Sequence, residues 1–443
     1  TLADYLCTLL SDRYALRCVS LSLDDFYLTK LERQQLAATV HPLLATRGVP
    51  STHDIPLAME TIAKLANGSA DTLIPRFDKS RDDRMPEAQC ERISGAVDII
   101  VFEGWSSNAI SCLSETQKST PNFDKLASEG LLFNNIFACG LTSEIGNSSI
   151  FSGYPALPEI SISMHPEKHR KIRTINEELK SYSTNYLFGG DLKYENIGSY
   201  FMDHNFQHVE DEKVFPSNLS RGKLNYFDSD LYALLLKKMN STKEPFLHCA
   251  FTGSTHSPYD HPKSKNPRFK GEEADYMNSM VYADKCLGDF IANCKTKPWF
   301  KNTIFVFVSD HGHPSPGLTN PNSKVFFRIP FLIWGEELKD TYRGKINDKI
   351  GSQADIAATL LYQVGGNLKK FPWSKDLLNP SCPEFALLAI NRGYGWVSKK
   401  GHYVYQMDSK TELENSFLKE DQKEEIKNCN AFLTRFYKDF KDL

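Results

Sequence analysis

The segment VDIIVFEGWSS, residues 97–107, runs from an apolar, strand-like stretch into Glu103, a glycine and a small polar turn. A carboxylate at a strand exit is placed either to hold a metal or to serve a phosphate-binding site, and the sequences on its two sides point to different answers. Downstream, TIFVFVSDHGH (303–313) delivers Asp310 and His311 together, so both side chains can reach one ion from one strand end. Two carboxylates and one imidazole suit a hard divalent cation, manganese or magnesium ahead of calcium or zinc. Taken alone, DHG is a turn more often than a ligand pair. CGLTSEIG (139–146) offers adjacent hydroxyls, Thr142 and Ser143, ahead of a helical stretch. A hydroxyl there is either an N-cap or a nucleophile favoured by the positive end of the helix. Near the start, SLDDFYLT (22–29) carries Asp24 and Asp25, and PRFDKSRDDR (75–84) carries Asp78. Most such acidic residues are solvated caps or turns.

The elements that must position these groups follow an α/β pattern. Residues 1–12 read as a helix, RCVSLSL (17–23) as a strand, LERQQLAATVHPLL (31–44) and PLAMETIAKLA (56–66) as helices, and VDIIVF (97–102) as a buried parallel strand. NYLFG (185–189), PFLHCAFT (245–252), TIFVFVSDHG (303–312) and PFLIWG (330–335) are further strands, with ADYMNSMVYADKCLGDFIANC between two of them as a helix. HPKSKNPRFKGEEA (261–274) reads as a surface loop, and residues 419–440 as an amphipathic helix that packs on the domain. There is no internal repeat or low-complexity tract.

At 443 residues the chain is long enough for two or three domains with their own cores. A net charge of -3 and the lack of a basic run exclude nucleic acid as a partner on electrostatic grounds. The ten cysteines form no CxxC pair, which favours free thiols and, by a small margin, a reducing compartment. No apolar run approaches the roughly 20 residues that span a bilayer, and TLADYLCTLL lacks the marks of a signal peptide.

SLDDFYLT, RGVPSTHD (47–54), PRFDKSRDDR and VDIIVFEGW together resemble the P-loop kinases related to glycerate kinase and uridine kinase. The resemblance implies that Asp24 would accept the proton of a substrate hydroxyl and that Glu103 would lie near the phosphates. The GxxxxGK[ST] loop on which such kinases cradle ATP does not precede these motifs, and TLADYL resembles the residues just after its lysine. The expectation for residues 1–96 is therefore an incomplete, inactive P-loop kinase-like segment.

From Glu103 onward, EGWSS, TPNFDKLASEGLLFNNIFACGLTSEIGNSSIFSGYPALP (120–158), FGGDLKYENIGSYF, STHSPY, YADKCLGDFI, VSDHGH and QADIAATLL resemble the alkaline phosphatase superfamily. The branch is the sulfatase-annotated group that includes the lipoteichoic acid synthases. The resemblance implies one divalent metal held by Glu103, Thr142, Asp310 and His311, with Thr142 as nucleophile and Ser143 as its fallback. It implies that His256 contacts the phosphate or protonates the leaving group. His313 is divided between site wall and surface. No C/S-x-P-x-R pentapeptide for a formylglycine occurs, and SCPEF (381–385) lacks the arginine, so phosphate chemistry is favoured over sulfate. Tyr194 and Asn196 stand where the synthases carry a tryptophan and an arginine that bind glycerol phosphate, and Leu141 where many relatives are basic. Loss of the guanidinium removes a bidentate phosphate clamp, so the synthase substrate does not carry over.

These readings give an alkaline phosphatase/sulfatase-like α/β/α sandwich over 97–405, with a mixed, mostly parallel sheet. It follows the 1–96 segment and precedes a helical tail over 406–443. The expected activity is a metal-dependent hydrolase or phosphotransferase on a phosphate or sulfate ester, with a cell-envelope glycan or lipid as the substrate class the resemblance suggests. The alternatives are a kinase remnant and an idle hybrid. Oligomeric state stays open, and so does compartment: relatives of the larger domain are membrane-anchored and face outward, whereas the kinases are cytosolic. The succession of the two resemblances suggests a fusion, a misassembled gene or a chimera.

Overall fold

The structure is a computed structural model that describes residues 23–47, 51–66, 72–78, 81–85, 91–93, 96–114, 118–364 and 366–443. Contacts divide the chain into two units, Thr1–Gly95 and Ala96–Leu443. The expected helix 1–12 and nearly all of the strand 17–23 lie outside the described residues; Leu23 opens a 3-10 turn, Leu23–Phe26.

In the first unit the helix Lys30–Thr39 is opened by a capping box in which Thr29 and Glu32 exchange hydrogen bonds. It ends five residues before the expected limit of 44. Pro42 has no N–H and drives the residue before it out of the helical region, so His41 is extended and Pro42–Ala45 continues as a 3-10 turn. The second helix, Ile55–Ala66, lies as expected. Two short antiparallel ladders follow, Thr72–Ile74 with Glu91–Ile93 and Phe77–Asp78 with Asp83–Arg84. Asp25 pairs with Arg76 at 3.0 Å and accepts from the Phe77 N–H, while Asp78 accepts from the Arg81 N–H.

The second unit is built on a nine-stranded sheet. Its strands are β1 (Ala96–Phe102), β2 (Leu131–Phe137), β3 (Ser183–Phe188), β4 (His208–Glu210), β5 (Phe246–Phe251), β6 (Thr303–Ser309), β7 (Arg328–Gly335), β8 (Lys345–Asn347) and β9 (Gly351–Ser352). The order is β8-β2-β7-β6-β1-β5-β3-β4, with β9 also beside β2. Only β7 runs against its neighbours, so the sheet is mixed and mostly parallel, as the sequence implied.

Alternation along the central strands makes the sandwich. Ile99 and Val101 of β1 and Val306 and Val308 of β6 face one core, shared with Phe151 of helix α2 (Ser143–Ser152) and Ile356 and Leu361 of helix α5 (Asp355–Gln363). Ile100, Phe102, Phe305 and Phe307 face the other, against α1 (Pro121–Glu129), α3 (Asp228–Ser241) and α4 (Ala274–Cys294). Strands buried on both faces read as continuous apolar runs, which is how VDIIVF and TIFVFV read. The strand predicted over 303–312 stops at Ser309, and Asp310–Gly312 leave the ladder as a turn.

Residues 385–415 fold into a four-stranded antiparallel meander, and helix α6 (Lys419–Asp442) packs Cys429, Leu433 and Phe436 against its Leu387, Trp396 and Tyr403. Among the described residues no helix is long and apolar enough to cross a membrane.

Phe307 is fully buried and stacks between Phe102 and Phe305, with ring centroids 5.9 and 6.2 Å away. Phe307→Ala should cost about 3–5 kcal/mol by leaving a cavity at the sheet centre, read from urea melts. The half-exposed Leu413→Ala should stay within about 0.5 kcal/mol of the parent.

Candidate active site

Four segments reach the same edge of the sheet, the carboxyl ends of its parallel strands: Glu103 after β1, Thr142 and Ser143 after β2, Thr252–His256 after β5, and Asp310–His313 after β6. Open α/β sheets place their ligands at this edge. β1 and β6 are adjacent and parallel with Phe102 opposite Ser309, so Glu103 and Asp310 emerge side by side. Both are buried, at 4% and 0% exposure.

Each of these groups is held by its backbone. Oδ1 of Asp310 accepts the N–H groups of Gly104 and His311, both at 2.7 Å. Thr252 Oγ1 accepts from the Glu103 N–H at 3.1 Å, and Thr255 Oγ1 donates to the Glu103 carbonyl. These threonines ride on a loop whose Gly253 and Ser254 N–H groups both donate to the buried Asp228 carboxylate. The His311 Nδ1–H donates to the Gly312 carbonyl at 2.7 Å, which turns Nε2 toward Glu103 (3.4 Å) and Asp310 (3.5 Å). One ligand atom from each of Glu103, Asp310 and His311 lies within 4.8 Å of the others.

Burial opposes charge on all three groups. Against it, hydrogen bonding and charge from His311 hold Glu103 well below the usual carboxylate range. Asp310 is pushed up by burial and by the Glu103 charge, and its two carboxylate neighbours hold His311 protonated well above the usual imidazole range. Asp310 Oδ2 is buried and receives no hydrogen bond among the described residues. A buried carboxylate oxygen without a donor, a second carboxylate and an imidazole nitrogen aimed at both are the donor set of a divalent cation, so these residues fit one.

The two hydroxyls divide at the start of α2. Ser143 Oγ donates to Glu103 Oε2 at 3.2 Å and lies 3.5 Å from His311 Nε2. Thr142, the N-cap, donates from Oγ1 to Glu144 Oε1 at 2.8 Å. The helix can lie this close because residue 146 is glycine: a Cβ there would sit 2.0 Å from the Asp310 carbonyl oxygen. Gln353 locks the turn, donating to the carbonyls of Ser309 and Asp310 and accepting from the Cys139 N–H.

His256 holds Nδ1 2.7 Å from the Ser257 carbonyl oxygen. His313 is half-buried beside the Asp310 turn. Its ring stacks on Tyr276 at 3.7 Å, Nδ1 accepts from the Ser315 N–H, and Nε2 meets the Tyr259 hydroxyl at 2.9 Å; burial drops its pKa to about 4. Tyr194 is exposed, Asn196 donates to the Ser163 carbonyl, and Leu141 packs on the core. Between Tyr194 and Asn196 stands Glu195, and both Glu195 and Asn196 adopt left-handed backbone (φ 50° and 60°), a conformation costly for non-glycine residues. Glu195 Oε2 accepts from the Glu144 N–H, so a carboxylate pair adjoins Thr142. This pair escaped the sequence reading because its members lie 51 positions apart and share no motif. Gln353 opens the motif QADIAATLL, but neither it nor Asp228 carries a sequence signal for its role here.

Residues 97–366 match the protein-family model described as Sulfatase. Phosphoglycerol transferase I of Xanthomonas campestris pv. campestris is 24% identical over 300 residues, covering 62% of this chain and 42% of its own length. The chain thus spans about two fifths of the curated relatives it matches first. A crystal structure of a protein in the alkaline phosphatase superfamily from Vibrio parahaemolyticus superposes with a TM-score of 0.68 at 21% identity, over 95% of this chain and 99% of that one. The chloroplastic D-glycerate 3-kinase of Arabidopsis thaliana is 33% identical over 98 residues, 20% of this chain and 22% of its own, which accounts for the kinase-like motifs.

The Glu195 carboxyl is raised to about 8, by burial first and then by Glu144 beside it. A free glutamate releases its proton near pH 4, about 4.3. Between these values the folded chain holds a proton that the unfolded chain has lost, so this group's contribution to stability falls as pH rises. Glu195→Gln keeps the shape and removes the titration. Its denaturation midpoint should gain on the parent between pH 5 and pH 8; parallel pH profiles would refute the account.

Proposed function

Because the chain belongs to the Sulfatase family of the alkaline phosphatase superfamily, we propose that it is a metal-dependent hydrolase or transferase acting on a phosphate or sulfate ester through a side-chain hydroxyl. The observation that carries this reading is the buried Glu103–Asp310–His311 cluster beside the hydroxyls that open α2. In the reading, Glu103, Asp310 and His311 hold one divalent cation, manganese or magnesium. Such an ion would polarise the ester and lower the pKa of a bound hydroxyl.

The residues of the chain supply the remainder. Thr142 Oγ1 is the nucleophile, and its proton already has an acceptor in Glu144. Attack on phosphorus or sulfur forms the Thr142 ester and releases the substrate alcohol, which takes a proton from His256. Water or a second alcohol, losing its proton to His256, then attacks the phosphorus or sulfur of the Thr142 ester; the phosphate or sulfate product leaves and Thr142 takes its proton back from Glu144. The positive end of the α2 dipole favours the developing negative charge. Phosphate is favoured over sulfate because the chain lacks a C/S-x-P-x-R segment. A cell-envelope glycan or lipid is the substrate class that the resemblance to the lipoteichoic acid synthases suggests.

A second reading makes Ser143 the nucleophile, on the single observation that Ser143, and not Thr142, donates to Glu103. In it Thr142 is the N-cap.

Turnover of bis-p-nitrophenyl phosphate with added manganese separates the two. Thr142→Ala should lower kcat by at least about 10³-fold, as expected for loss of a nucleophile, while Ser143→Ala should cost less than about tenfold. The reverse order would select Ser143. Glu103→Gln should weaken manganese binding, measured by calorimetry, and abolish metal-dependent turnover; unchanged metal affinity would sink the assignment.

A further inference from the structure

A polar cavity of about 400 Å³ lies at the opposite end of the sheet from the catalytic edge, bounded by the amino ends of β3, β4 and β5 and by the last turn of α3. Small-molecule sites run from about 300 to 1,000 Å³. The floor of the cavity is one rung of the sheet. Asn185 on β3 pairs in register with His208 on β4 and with His248 on β5, so the three side chains share a face. Farther along, that face is core: Leu187, Phe246 and Ala250 join one cluster with Leu231, Leu235 and Met239 of α3. Apolar residues would serve packing on this rung too, yet Asn185 is 4% exposed and His248 2%.

Asn185 is fixed but only half satisfied. Its Nδ2 donates to Glu210 Oε2, whereas its buried Oδ1 receives no hydrogen bond among the described residues. A buried acceptor in that state lowers stability unless a bound molecule brings it a donor. The charges around it cancel, since Lys238 Nζ lies 2.7 Å from Glu210 Oε1 and 2.6 Å from Oε2. Thr242 gives its hydroxyl proton to the Lys238 carbonyl, so His248 Nε2 donates to Thr242 Oγ1 at 3.1 Å. Burial, then the Lys238 charge, lowers the His248 pKa to about 4 and keeps the ring neutral. Gln207 Oε1 accepts from the Thr184 N–H at 3.2 Å, which leaves its amide N–H groups to donate. His208 and Lys243 are exposed members of the lining.

The interior thus sets carboxamide and carboxylate acceptors beside ammonium and amide donors, with no net charge. A hydroxyl both donates and accepts, so adjacent ring hydroxyls match this alternation, whereas an ion finds no charge to neutralise. We propose that the cavity binds a neutral saccharide unit, with one ring hydroxyl donating to Asn185 Oδ1 and its neighbour bridging Glu210 and Lys238. The site is separate from the ester chemistry proposed above and stands or falls without turnover.

The test is saturation-transfer NMR on the full chain with D-glucose, D-galactose, maltose and maltohexaose, at least one of which should give a signal. A signal from a mono- or disaccharide identifies a free sugar as the ligand, and one from maltohexaose alone identifies a unit of a longer glycan. Asn185→Leu puts an apolar side chain on a face that is otherwise core. It should keep the parent's denaturation midpoint while raising Kd about tenfold, the loss expected for one buried hydrogen bond. Should that variant not fold, Ser241→Trp stands in for it: the position is exposed, ends α3 and lines the cavity, and the indole should abolish the signal. Glu103→Gln, at the catalytic edge, should leave the signal unchanged. No signal from any of the four sugars would mean that water alone serves Asn185, and the proposal is overturned. It is equally overturned by a Kd raised less than about threefold in Asn185→Leu, by a signal that survives Ser241→Trp where that variant is needed, or by loss of the signal in Glu103→Gln, which would place the sugar at the catalytic edge.

Discussion

The parallel pairing of β1 with β6 is the constraint on which the rest of the second unit depends. Phe102 lies opposite Ser309, and the next residue on each strand is a buried acid. Side chains alternate along a strand, so a slip of one residue would exchange the residues that fill the two cores and carry Glu103 away from Asp310. The register is fixed by the residues that fill both cores. Ile99, Val101, Val306 and Val308 cannot leave one, nor Ile100, Phe102, Phe305 and Phe307 the other, without exposing large apolar surface. Core packing thus sets the distance between two acids that would otherwise repel.

That repulsion is managed locally. Two backbone N–H groups neutralise one oxygen of Asp310, His311 is oriented by a carbonyl of its own turn, and the Glu103 peptide is bracketed by two threonines. What stays without a partner among the described residues is one oxygen of Asp310. A fold that leaves a buried charge only partly balanced is unusual outside sites that take up a counter-ion, because each such group subtracts from a small net stability. The left-handed Glu195–Asn196 pair and the carboxylates beside Thr142 belong to the same edge.

Much of this edge was legible in the sequence because the signals were local. The run ADYMNSMVYADKCLGDFIANC has the apolar spacing of a helix, and α4 spans those same residues. Glu103, Asp310 and His311 could be read because a polar residue closing an apolar run falls at a strand end, and strand ends converge in this architecture. Failures came where tertiary contact decides. The proline that stops the helix at Thr39 was visible at position 42 yet overridden by apolar spacing. DHG was drawn into its strand, although only the hydrogen bonds of Ser309 and Gln353 show that the turn begins at Asp310. The facing of Thr142 and Ser143 depends on side-chain rotation at a helix start, which no pattern in LTSE encodes. The carboxylate partner of Glu144 comes from another part of the chain.

The segment VDIIVFEGW carries motifs of two families, and strand geometry decides between them. A β-strand has two hydrogen-bonding edges. On β1 one is occupied by β6 over Ala96–Phe102 and the other by β5 over Val97–Val101. A kinase sheet would need at least one of these edges for its own neighbouring strand, and neither is available. The boundary between the two units falls at Gly95 and Ala96, immediately before this strand. The kinase-like similarity therefore extends across a boundary that the fold does not, and Glu103 stands in the same sheet as Asp310 and His311 whatever the ancestry of the residues before it. With both edges filled and both faces buried, β1 leaves its carboxylate one exit, the sheet edge where the β6 turn already waits.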